Sequence, residues 1–471
     1  MAFRRLSRKR RSAFPLLALV GWWWIAVAGC TALPPFAGEN PPLPAPGEIP
    51  DTRKGGSRLP TFLSLNDACR IAGENNPDFN ALFHSVAAAE ARYRQTLGAY
   101  LPELHVGFAA GQNLVDRGNL VNPQPATIPF ASNFDTDLTA QAGLLLFDGL
   151  QREFGALAAR GEAAATAEDR RDAFRKLRRS VACAFCDALL ADALLAVADA
   201  DAEFQRSCLE QAEVRYRNGF IAERDYLGFR IDLNRALVRQ VSARSRREVT
   251  RCALAALMGC RSGELPPETR LIPPPETSPE RSAVPIDFYL ELALLRRPDL
   301  AAARLRRRIA RYREFQGIGA FAPVVNLVAG GGSYLRAQGG REYVLGYGLV
   351  ADWQLLPLWT RWQRLRELRE ERSIARLRAV AVEIAALSEV ESAYSVRESA
   401  AAALGFYRES LAWVRRQREL VAVEYWSGDV TITRLRGAQN DLVGAESGCA
   451  AALAEFCKAE ARLLAAVGGE W

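Results

Sequence analysis

One pattern is written twice in this chain, and that repetition limits the folds open to it. Residues 76–111, NPDFNALFHSVAAAEARYRQTLGAYLPELHVGFAAG, run without a gap against residues 297–332, RPDLAAARLRRRIARYREFQGIGAFAPVVNLVAGGG. Pro77 falls on Pro298, Asp78 on Asp299, Gly98 on Gly319, Pro102 on Pro323 and Gly111 on Gly332. A second register sets Val214–Leu233 against Val423–Leu442, matching Tyr216 with Tyr425, Gly219 with Gly428 and Asp232 with Asp441. Helix breakers and strand starts recur in the same order, the mark of an internal duplication. Two copies of a helix–hairpin–helix unit predict an elongated, tubular assembly rather than a globule around one active site.

The first 13 residues carry six cations and no acids, and an apolar run follows from Phe14 to Val27. That is the layout of an export signal, too short for a confident membrane span. It closes on Val27-Ala28-Gly29-Cys30, which resembles the lipobox of bacterial lipoproteins. By that resemblance Cys30 becomes the lipid-bearing N-terminus of the mature chain, and Thr31 after it fits outer-membrane delivery. Removing the leader's six cations takes the formal net charge from +7 to +1, so basicity gives no case for nucleic-acid binding.

The chain divides into a signal at 1–29, a Pro- and Gly-rich tether at 30–61 and a first repeat at 62–258, with a hairpin at about 103–147. A Pro-rich linker follows at 259–285, then a second repeat at 286–467 with a hairpin at about 323–355. Pro77 and Pro102 bound one helix, because proline disfavours helical backbone in the residue before it. From Leu104 the period becomes two, with Leu104, Val106, Phe108 and Ala110 on one face. Between Tyr343 and Trp353 the alternation is cleaner: Tyr343, Leu345, Tyr347, Leu349, Ala351 and Trp353 share a face. That length, with an aromatic at each edge, suits a tilted membrane strand. Two strands per repeat make only a hairpin, which is unstable alone, so four strands per protomer must pack on something or be pooled by several protomers. Two stretches, about 150–217 and 360–426, are nearly free of Gly and Pro and predict long helices that need neighbours along their length. Each breaks at a Tyr-x-x-Gly position, Gly219 or Gly428. Charged runs such as Arg361–Arg378 read as solvated helix faces.

At these residues the chain resembles the TolC-like outer-membrane efflux proteins. LSLNDACRIAGENNPDFN, LLLFDG and YRNGFIAERDYL in the first copy, with RRPDL, AFAP and YWSGDVTITRL in the second, carry the likeness over roughly 62–467. The resemblance implies a mainly α fold with a small transmembrane β part. Three protomers would pool four strands each into a 12-stranded barrel, continued by a periplasmic α-helical barrel. It implies an outer-membrane lipoprotein that is the passive exit duct of a tripartite pump or type I secretion system. The implied partners are a homotrimer, a periplasmic adaptor, an inner-membrane transporter of RND or ABC type, and outer-membrane lipid. In that family, acids just after the second turn narrow the periplasmic mouth. Here gap-free counting puts Arg434 and Gly437 at those positions, a departure, while Asp225 holds the place equivalent to Arg434. Gly219, Asp225, Gly428, Asp429, Arg434 and Asp441 are therefore the tip and gate candidates, and Tyr343 and Trp353 the aromatic-edge candidates. An Arg434 ring would favour anions; an Arg434–Asp225 pair would latch the mouth; a solvent-facing Arg434 would do neither.

Catalysis has little to stand on. The two histidines, His84 and His105, sit in no metal-ligand or nucleophile arrangement, and no P-loop, G-x-S-x-G or dinucleotide fingerprint occurs. Neither a cofactor nor a metal is expected. Eight cysteines follow Cys30; only Cys183-Ala-Phe-Cys186 is a close pair, and small buried packing roles are the expectation. The competing function is a periplasm-spanning structural lipoprotein that conducts nothing. The alternation from Tyr343 to Trp353 separates the two, since a spacer needs no lipid-facing strand.

Overall fold

The computed structural model describes residues 60–113, 133–260, 262–273, 284–336, 340–354, 356 and 358–469. The signal, Cys30 and nearly all of the tether lie outside the described residues, as do 114–132 between the first two long strands. All described residues belong to one unit, Pro44–Trp471.

Each repeat begins with a short helix, a proline corner and a second helix. In the first, α1 spans Leu65–Asn75 and α2 spans Pro77–Leu97. Ser64 caps α1 by accepting from the Asp67 amide at 3.2 Å, and Asn76 caps α2 by accepting from Phe79 at 3.1 Å. Pro77 sits at the first helical position, where its missing N–H costs nothing. Strands β2 (Glu103–Asn113) and β3 (Asn133–Phe147) follow, then α3 (Gln151–Arg217) and α4 (Glu223–Leu257). The second repeat gives α5 (Ile286–Arg296), α6 (Pro298–Gly319), β5 (Val324–Arg336) and β6 (Gly340–Asp352). It ends with α7 (Leu358–Ser427) and α8 (Ile432–Val467). Two further strands were not legible in the sequence: β1 (Phe62–Leu63) pairs in parallel with β4 (Arg270–Leu271), fastening the start of the fold to the inter-repeat segment.

The helices α3 and α7, at 67 and 70 residues, run the length of the helical part, on the order of 100 Å each. Near the strands, neighbours follow the order α2, α3, α6, α7; toward the Gly219 and Gly428 turns the order is α4, α3, α8, α7. The shorter helices relay one another along the long ones. Duplication extends into the core. Ala72, Leu254 and Met258 are buried in the first repeat's cluster, and their counterparts Ala293, Leu463 and Val467 in the second's. One described helix, α3, is long and apolar enough by composition to cross a membrane. Its apolar middle (Val181, Ala182, Phe185, Ala188) packs instead on α1, α4 and α8, which explains the composition as core burial.

Candidate functional site: a two-faced sheet and paired turns

The four long strands form one antiparallel sheet in the order β2-β3-β5-β6. Residues directly opposite one another share a face, so the register reads out each face as rows. Val106, Ala140, Gly331 and Leu345 form one row; Leu104, Ala142, Ala329 and Tyr347 another; Leu144, Leu327 and Leu349 a third. On the reverse side His105 aligns with Gln141, Gly330 and Gly346, and Gly107 with Thr139, Gly332 and Val344. Over these three rows the first face is wholly apolar, and the next row, Phe108, Leu138, Ser333 and Tyr343, admits one hydroxyl; the reverse face is smaller and partly polar. The apolar face has no cover within the chain: Leu345 and Tyr347 are each 89 % exposed and Phe108 71 %. The outer edges of β2 and β6 have no strand partner among the described residues.

Tyr343 lies on the apolar face, opposite Ser333. Trp353 is one residue past the end of β6, and its indole N–H donates to the Phe321 carbonyl at 3.1 Å. It therefore anchors the strand to the α6–β5 corner instead of ending the strand's alternation. Trp359 and Trp362, also exposed, follow it at the start of α7. Sequence periodicity passed them over because they lie on a helix, outside the period-two pattern.

At the opposite end the two turns pack together. Gly219 and Gly428 have φ of +73° and +93°, and a Cβ on either would meet no heavy atom within 4 Å. Glycine is needed there for the backbone conformation alone. Behind the turns, Cys208, Phe229, Val421, Tyr425 and Leu435 form a buried cluster, with Ile221 from one turn and Val430 from the other against it.

The tip candidates are not assembled as a latch. Asp225 lies 3.6 Å from Arg224, while Arg434 is exposed and makes no ion pair with Asp225. The cross-repeat pair is Arg436–Asp232, at 2.6 Å, with the Arg436 guanidinium 5.5 Å over the Phe229 ring. Gly228 is what admits it, since a Cβ there would collide with that guanidinium. Asp429 accepts from the Ser427 hydroxyl at 2.6 Å, and Asp441 is exposed. Higher up, buried Asp201 joins three helices: it accepts from Arg239 at 2.5 Å and from Gln439 at 3.0 Å. Gln439 in turn accepts from Arg418 at 3.3 Å, and Arg418 lies 4.4 Å over Phe204. None of this was readable beforehand, because Asp201 and Gln439 are 238 residues apart.

His84 is an exposed helix residue, and His105 sits on the small, polar sheet face 3.6 Å from Glu103. The Cys186 and Cys457 thiols hydrogen-bond across α3 and α8; that contact, then burial, pushes the Cys186 thiol well above its ordinary range. Burial pushes the Cys208 thiol up to about 11. Cys186 and Cys208, so held, are poor nucleophiles and poor ligands. Among the described residues no group of three or more His, Cys, Asp or Glu side chains is placed to hold a metal ion.

The comparisons agree with this architecture. The family model for outer membrane efflux proteins matches residues 69–260 and 289–469, so the chain belongs to the outer membrane efflux protein family. Its fold is that of the Campylobacter jejuni CmeC outer membrane channel, with a TM-score of 0.73 and 14 % identity over 86 % of this chain and 85 % of that one. The Vibrio cholerae outer membrane protein VceC gives 0.72 and 18 % over 86 % and 96 %. The open state of the Neisseria gonorrhoeae MtrE outer membrane channel gives 0.69 and 18 % over 86 % and 89 %. No curated protein matches the sequence.

Proposed function

We propose that this protein is the passive outer-membrane exit duct of a tripartite efflux pump or type I secretion system, anchored through a lipidated Cys30. The observation that carries the reading is the bare sheet: a mainly apolar face, a smaller, partly polar reverse, and two open edges. In lipid every backbone polar group needs an internal partner, and only a closed barrel gives a sheet that. Four strands are too few to close on themselves. Joining β6 of one copy to β2 of the next removes both edges, and three copies give twelve strands, as the family resemblance implies. The polar face then lines the lumen. The helices continue the wall toward the paired turns, which meet a periplasmic adaptor and, through it, an inner-membrane transporter that supplies the energy. Arg434, exposed at the start of α8, sets the charge of the mouth in this reading.

Disulfide trapping in the native membrane tests the closure. Closure staggers the register between copies, so Leu104→Cys combined in turn with single cysteines along β6 should include a pair that links copies into a reductant-sensitive trimer, and that trimer should conduct in planar bilayers once its tip is opened. A lipidated protein that stays monomeric in detergent and never conducts would end the proposal. Arg434→Asp should shift single-channel selectivity toward cations; unchanged selectivity would remove Arg434 from the gate.

A further inference from the structure

On α6 the arginines divide into two sets. Arg306 and Arg313 face α3, where they pair with Asp169 and Glu162. Arg304, Arg307, Arg308 and Arg311 turn the other way and line two adjoining pockets of about 350 and 280 Å³ against α7. From α7 come Arg369, Arg372 and Arg376. Arg307 and Arg372 belong to both pockets, so the two form one groove.

Seven arginines thus line the two pockets, and Glu314 is the one carboxylate among the lining residues. That carboxylate is buried and already engaged, 2.7 Å from Arg372 and 3.6 Å from Arg369. Arg304 donates to the Leu294 carbonyl at 3.3 Å, and Arg311 lies 5.3 Å over the Phe315 ring. Arg307, Arg308 and Arg376 have no ion pair, hydrogen bond or ring contact among the described residues. Like charges three and four positions apart on one helix repel, and here a second basic helix face is set against the first. Arg364 on α7 has its own acid, Glu367, at 2.6 Å.

We propose that the groove binds a phosphate-bearing anion, gripped by Arg307, Arg308 and Arg376 over a floor of Arg372 and Glu314. The argument for phosphate is charge density and shape. A small concave volume with a surplus of six positive charges is best neutralised by a compact, multiply charged oxyanion, and the planar guanidinium matches phosphate oxygens two at a time. A free phosphate compound and a lipid headgroup share this chemistry.

Titration calorimetry of the full-length protein in a non-ionic detergent at low salt tests it, with tripolyphosphate as probe. Wild type should bind, and Arg307→Gln/Arg308→Gln/Arg376→Gln should bind at least tenfold more weakly. Arg92→Gln/Arg230→Gln/Arg246→Gln removes the same charge from exposed positions on α2 and α4 and should leave binding intact. Arg307→Lys, which keeps the charge but not the fork, should give a smaller loss than the triple change. Native mass spectrometry of protein taken from membranes separates the sources: a phospholipid adduct or a free phosphate adduct, either one lost in the groove triple variant, supports the site. No binding by wild type, an equal loss in the control triple variant, or tighter binding of a poly-glutamate peptide than of tripolyphosphate would overturn it.

Discussion

The two repeats meet the same corner with different chemistry. In the first, Gly259 (φ +73°) presses on the backbone of Asn75 and Asn76, and the Asn76 amide donates to the Leu257 carbonyl at 3.0 Å. In the second, Gly468 (φ +77°) presses on Arg296 and Arg297, and the Arg297 guanidinium donates to the Ala466 carbonyl at 2.8 Å. Asn76 and Arg297 occupy equivalent positions in the repeat. One corner is closed by a neutral amide. The other is closed by a buried cation that needs Asp299 at 2.6 Å and Glu389 at 2.8 Å, beside an Arg175–Asp172 pair at 2.7 Å. Duplication preserved the backbone demand, an orphan carbonyl at a helix end, and left the donor free to change. The helix-capping amide is self-sufficient; the guanidinium recruits a network that ties α3, α6 and α7 together.

The largest effect is expected from Arg297→Ala, which takes the nearer cation from Asp299 and from Glu389 and leaves them Arg175 at 3.7 Å and Arg179 at 3.1 Å. It should destabilise the fold by about 3 kcal/mol, the lower end for breaking a buried ion pair, read as a lowered thermal midpoint in detergent. Arg297→Asn sharpens the test: if the network matters more than the cap, it should recover little of that loss. Glycine substitutions come next. Gly259→Ala and Gly468→Ala should each cost more than Gly219→Ala, because the corners add backbone collision to the roughly 1–2 kcal/mol of left-handed strain that is all the open turn imposes. Asn76→Ala should cost about 1 kcal/mol, the usual worth of a helix cap. The smallest effect is in pH. Burial works to raise the Asp299 carboxyl, but the hydrogen bonds and charge of Arg297, then the charge of Arg175, outweigh it and hold it below 3.8. A depressed carboxyl stabilises above its unfolded pKa and loses that contribution as pH falls through the folded value. Acid titration from pH 4 downward should therefore weaken wild type more than an Arg297→Ala/Asp299→Ala variant.

Much of the scaffold was legible because its signals are local. Proline at a first helical turn, glycine at a positive φ and a period of two along a strand each constrain their own few residues. So the helix ends near Gly219 and Gly428 and the alternation from Tyr343 onward could be read before any contact was known. The sheet's second face needed more than alternation: it took the pairing register to show that His105, Gln141, Gly330 and Gly346 lie in one row.

The sequence alone determined the duplication, the order of helices and hairpins, and the two turns. Tertiary structure decided which charges meet. Successive residues turn about 100° around a helix, so Arg434 and Arg436 point to nearly opposite sides of α8. Which of them reaches the first repeat depends on how α8 is rotated against its neighbours, and packing around Phe229 and Leu435 sets that rotation. The same applies to the run Arg361–Arg378, which reads as a solvated face until α6 lays its own arginines beside it.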